Sequence, residues 1–280
     1  MFSTMDSCPQ DIMENNATQT HVLCLCVFNN PEHALSWINK LIPKNKNNTF
    51  IKWASQRGAR RELIRERFKN NMLGNLDKLD FKIYCVISNE SDISYITQSY
   101  YLNNLHYISQ ELNDNKKNCL IFNLPENNKI KLHVLKAGRI IWAFHVLHML
   151  HDQFGISGII HSDWLAQDSM TTRIPAEGAS LINFLLSYTK TELTLKLPKD
   201  PKDQTYELMS DWVAGWCKEF IDNNEEDEQF SRLINSESPK IIKLDFKPSF
   251  GKIFYGRPFF LHTYDAKNKI HRFFINYLAW

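Results

Sequence analysis

The alternation of apolar and polar positions divides the chain into strands and helices. HVLCLCVF (21–28) is a continuous apolar run closed by Asn29-Asn30-Pro31 and reads as a buried strand; FKIYCVIS (81–88) reads as a second. Residues 1–7 fit a short first strand, CLIFNL (119–124) and ELTLKL (192–197) two further short ones, and GISGIIHSD (155–163) an apolar run ending in a carboxylate. Helical spacing appears from Pro31 to Leu41, where Pro31 suits the first turn. It returns in a basic stretch from about Ser55 to Leu76, in SDISYITQSYYLNNLHYISQEL (91–112), in 132–154, in ASLINFLLSYTK and in 205–221. Strands and helices intermix, which predicts an α/β sheet covered by helices. Residues 223–239 read as an exposed acidic linker and 240–280 as a β-rich tail, with eleven aromatic residues from Phe246 to Trp280. That tail packs onto the main domain or docks a protein partner.

Composition removes several classes. No apolar stretch reaches the length of a membrane span, and MFSTMDSCPQDIMENN has neither a basic nor an apolar segment of a secretory signal. The six cysteines form no C-x-x-C pair and sit mostly in apolar runs, so they read as reduced core thiols of a cytoplasmic protein. G-x-x-x-x-G-K-[ST], G-x-G-x-x-G and G-x-S-x-G are all absent. His145, His148 and His151 recur every third residue, but the third drifts round the helix and no H-E-x-x-H is formed.

Three acids suit metal chemistry. A phosphodiester hydrolase using Mg²⁺ needs carboxylates converging at strand ends or on a neighbouring helix, because hard cations prefer oxygen ligands. Asp6 closes the first strand, Asp163 closes GISGIIHSD, and Asp211 lies in the late helix. At about 100° per residue, Met209, Val213, Trp216 and Phe220 set that helix's apolar centre. Asp211 points nearly away from it, beside Glu207, Gly215 and Lys218, and Gly215 leaves space for a ligand or a backbone segment.

The order of these features resembles a large prokaryotic family of uncharacterised RNase H-like proteins. Its members open with Asp-Glu-Ser-Gly and carry a late Gln-Leu-Ala-Asp-x-x-Ala-Gly motif. Here MDSCP stands at the first motif and LMSDWVAG (208–215) at the second, with GIIHSD between. The resemblance covers about residues 1–222 and implies an RNase H-like mixed sheet and a two-metal nuclease. Asp6, Asp163 and Asp211 would hold Mg²⁺ or Mn²⁺, in a setting of phage defence or toxicity. Ser7 replaces the family's Glu, Pro9 its Gly, and Leu208 its Gln. Such a site binds metal weakly, recruits Glu207 or Asp168, or is inactive and leaves a binding module within a larger assembly.

Charge distribution adds a nucleic-acid partner. Residues 40–70 hold ten Lys or Arg against two acids. Arg57, Arg61 and Arg65 share one helix face with Arg60 close by, a pattern that grips phosphates without reading sequence. The same face would equally suit the acidic segment 219–229. Trp53 is expected to stack on a base, and Lys52, within TFIKW, to meet the scissile phosphate.

Overall fold

The computed structural model describes residues 1–8, 20–53, 59–93, 108–112, 118–123, 129–162, 175–197, 203–223, 226–235, 240–246, 259–265 and 270–276. Its centre is a mixed six-stranded sheet flanked by helices. The meander β1 (Phe2–Cys8), β2 (Thr20–Phe28) and β3 (Lys82–Asn89) is antiparallel. β7 (Gly158–His161) lies parallel to β1, and β8 (Leu193–Lys196) parallel to β7. On the far side β9 (Ile241–Asp245) pairs parallel with β3. The order is therefore β8-β7-β1-β2-β3-β9, with β2 alone reversed. β4 (Ile108–Leu112), β5 (Asn118–Asn123) and β6 (Lys129–His133) form a separate three-stranded sheet, and β10 (Phe259–Asp265) and β11 (Ile270–Asn276) a hairpin.

The continuous apolar run of β2 has a physical cause: both faces of the sheet are covered. Alternation sends Leu23, Leu25 and Val27 to one face, with Met5, where they meet α3 (Val134–Phe154) and α4 (Pro175–Tyr188). Val22, Cys24, Cys26 and Phe28 face the other way. They pack with Phe2 against α1 (Pro31–Leu41), α2 (Ala59–Gly74), α5 (Leu208–Asp222) and α6 (Glu228–Ile234). α1 opens as expected on Pro31, with the Asn30 side chain accepting the His33 N–H at 2.8 Å.

Three expectations change. ISQEL, read as the end of a helix, is strand β4, held by antiparallel pairing with β5 rather than by its own periodicity. The acidic linker contains α6, which buries Phe230 and Leu233. β9 belongs to the main sheet rather than the tail, because Ile241 to Asp245 extend the ladder of β3. Among the described residues no helix is long and apolar enough to cross a membrane.

The reading of the cysteines as core thiols agrees with Cys24, Cys26, Cys85 and Cys217, which are fully buried and outside any disulfide. Cys24 and Cys26 share one face with their sulfurs 4.0 Å apart, and burial pushes the Cys24 thiol well up. Hydrogen bonds with Cys217 and Cys24 pull the neighbouring Cys85 thiol the other way, down to about 5, so what protects these thiols is their burial, which keeps reagents out. These four are expected to ignore Ellman's reagent in the native protein and to react on unfolding; reaction of any of them under native conditions would contradict the packing.

Candidate functional site

The C-terminal end of β1 and the helix α5 lying on it bring two of the three expected acids to one face of the sheet. Phe2, Thr4 and Asp6 alternate with Ser3, Met5 and Ser7, and it is the first set that faces α5. Thr4 Oγ1 and Ser210 Oγ share a hydrogen bond of 2.6 Å, which ties the strand to the helix next to Asp211. Asp6 is 2% exposed, and the backbone N–H of Ser7 donates to its Oδ1 at 2.7 Å. The Ser7 side chain lies on the opposite face, so a Glu there would not project with Asp6.

Asp211 sits on the flank of α5. The sheet-facing arc of this segment is marked by Tyr206, whose ring is 4.9 Å from that of Phe2, and by Ser210. Asp211 is about 100° round from Ser210. Its Oδ2 accepts the backbone N–H of Trp53 at 2.8 Å. One residue on, the Trp212 indole N–H donates to the Ile51 carbonyl at 2.6 Å. Lys52 therefore stands between two backbone anchors supplied by α5 and is half-buried. Gly215 leaves room for the Trp53 indole, not for a ligand: a Cβ at 215 would lie 2.2 Å from the Trp53 Cδ1 atom.

Trp53 and the basic helix differ from the sequence reading. Trp53 is 5% exposed, with Arg65 over its ring at 4.0 Å and Trp212 edge-on at 5.2 Å, so its faces are occupied within the fold. Arg65 is buried and paired with Glu219 at 3.2 Å. Lys69 is bound by Asp227 at 2.8 Å. The inward face of α2 thus meets the acidic segment 219–229, at the end of α5 and beyond it, the alternative that its charge pattern allowed. Arg61 is half-buried, Arg60 falls in the first turn of α2, and Arg57 lies outside the described residues.

Asp163 and Asp168 also lie outside the described residues. The strand leading to Asp163 ends at His161, paired in register with Thr4 of β1. Glu207, the acid one turn before Asp211, is 2% exposed. Comparison of the chain with models of known protein families, with curated proteins and with solved structures gives no match.

Among the described residues no three His, Cys, Asp or Glu side chains are grouped to hold a metal ion. The donors at this end of the sheet are nevertheless carboxylates, the chemistry a hard divalent cation requires. The histidines of α3 are used in packing. Burial, assisted by the charge of His148, pushes His145 down to about 3. His148 Nδ1 bonds the Thr191 hydroxyl and His151 Nδ1 the Ile156 carbonyl, both at 2.8 Å. One pair had no counterpart in any motif: buried His21 on β2 contacts half-buried Glu90 beyond the end of β3, and this hydrogen bond, outweighing burial, holds the Glu90 carboxyl below its ordinary value.

Proposed function

We propose that this chain is a metal-dependent phosphodiester hydrolase acting on RNA or DNA, built on an RNase H-like sheet. The observation that carries the reading is the Thr4–Ser210 hydrogen bond, which ties β1, with Asp6, to the helix that carries Asp211. The mixed sheet and its covering helices agree with the fold that the resemblance implies. Asp6 and Asp211, with Asp163 beyond β7, would hold Mg²⁺ or Mn²⁺. When bound, the cation supplies charge neutralisation and an activated water. Lys52, held by its backbone neighbours, would neutralise the phosphate of the substrate. Glu207, buried one turn before Asp211, would add a further carboxylate at the start of α5.

The test incubates the purified chain with Mg²⁺ or Mn²⁺ and labelled RNA or DNA. Asp163→Asn and Asp6→Asn are each expected to lower cleavage by about a hundredfold or more. Equal cleavage by wild type and variants, or none by the wild type, defeats the proposal.

A second reading is a non-catalytic binding module. It is favoured by Asp211, which spends Oδ2 on the Trp53 N–H, and by Leu208 in place of the motif's Gln. This reading expects co-elution with a protein partner, lost on deletion of 247–280. The cut falls after β9 so that the main sheet is spared.

A further inference from the structure

β7 and β8 present a shelf beside α5 that the core does not use. Register places Phe2, Ile159 and Thr194 in one row and Thr4, His161 and Lys196 in the next, all on the α5 side of the sheet. The alternate residues Ile160, Leu193 and Leu195 are buried on the other face, as a covered sheet requires. On the α5 side, by contrast, Ile159 is 46% exposed, and Thr194 and Lys196 are exposed. Half-buried rings wall the shelf where it meets the helix: His161 and Tyr206 lie 4.8 and 4.9 Å from Phe2 and 6.3 Å from each other. All three strands β1, β7 and β8 run toward the end where Asp6 stands.

We propose that this shelf binds single-stranded nucleic acid and leads it to the Asp6 end of the sheet; the inference rests on the nuclease reading for the choice of polymer. Strands lie about 4.8 Å apart, so two make a floor roughly 10 Å wide. A duplex keeps its base faces stacked inside, whereas a single strand can lay them on such a floor. An apolar and aromatic surface with a cation at its edge suits the flat faces and phosphates of one strand. Lys196 supplies a cation at the end of the shelf toward Asp6; Glu192, exposed just before β8, lies at the far end.

The experiment measures fluorescence anisotropy of labelled oligonucleotides of about 12 residues, single-stranded and duplex, in EDTA so that nothing is cleaved. The wild type is expected to prefer single strands. Ile159→Glu combined with Lys196→Glu, both at exposed positions, is expected to weaken binding on the order of tenfold or more. Lys78→Glu, an exposed charge elsewhere, is expected to retain affinity. No binding by the wild type, preference for duplex, unchanged affinity in the double variant, or an equal loss in Lys78→Glu overturns the proposal. A metal-dependent cleavage assay separates the two readings. If the wild type cleaves and the double variant keeps its KM, the shelf fails and the nuclease stands. If the wild type binds without cleaving and the double variant loses binding, the nuclease fails and the shelf stands.

Discussion

Replacing Gly215 with alanine is expected to destabilise the protein by about 2 kcal/mol or more, against the usual sign for a helix interior. In an open helix the change would gain up to about 1 kcal/mol. Here the new methyl would stand 2.2 to 2.4 Å from three atoms of the Trp53 ring. The ring cannot step aside cheaply. Trp212 meets it edge-on, and Arg65 lies over it while paired to Glu219. Expelling Trp53 would also pull on the N–H held by Asp211 and so move Lys52. The check is a double-mutant cycle by urea denaturation. Trp53→Ala alone should cost about 3 kcal/mol through loss of a buried indole. In that background Gly215→Ala should become neutral or stabilising, because the helix gains and nothing clashes. An equal cost in both backgrounds would mean that the glycine serves something other than the indole.

Gly215 shows what could and could not be read along the chain. Its poor fit to a helix interior was visible in the residues, and so was the placement of Asp211 off the apolar face. The partner that explains both was not, because Trp53 is about 160 residues away in sequence and reaches α5 only through the tertiary fold. Local signals served well where the element is locally determined. The Asn30-Pro31 start of α1 and the apolar run of β2 are of this kind. They misled where pairing decides. ISQEL has residues that a helix would accept, and β5 makes it a strand. Charge behaved likewise: the basic stretch was plain, but whether its face turns to phosphate or to Glu219 and Asp227 depends on where the acidic segment packs. Among the candidate site residues, Asp6 and Asp211 stood out by their chemistry and by a motif. The burial of Glu207 had no signature, since it follows from the turn that precedes α5.

Asp227→Ala is expected to cost about 3 kcal/mol or more, a large effect for one carboxylate on a segment that looked like solvent-exposed linker. Its Oδ2 accepts from Lys69 Nζ and from the Trp216 indole N–H, both at 2.8 Å, and its Oδ1 accepts the Phe230 N–H at 3.0 Å. The residue thus caps α6 and joins it to α5 and α2. Its loss leaves Lys69, 8% exposed, as a buried charge with the more distant Glu66 at 3.6 Å and the Trp216 ring at 5.7 Å. Asp227→Asn keeps an acceptor for the cap and the indole, so it should cost less and isolate the charge. The acid limb gives an independent readout. Burial by itself would raise the Asp227 carboxyl, but the bonds from Lys69, Trp216 and Phe230, with the Lys69 charge, outweigh it and hold the group below its ordinary value. A lowered folded value means that this stability is present above the ordinary carboxylate value, about pH 4, and is lost as pH falls through the lowered one. Urea midpoints taken from pH 6 down to pH 2 should therefore fall more steeply in the wild type than in Asp227→Asn. Parallel limbs would show that the Asp227 charge does not hold Lys69.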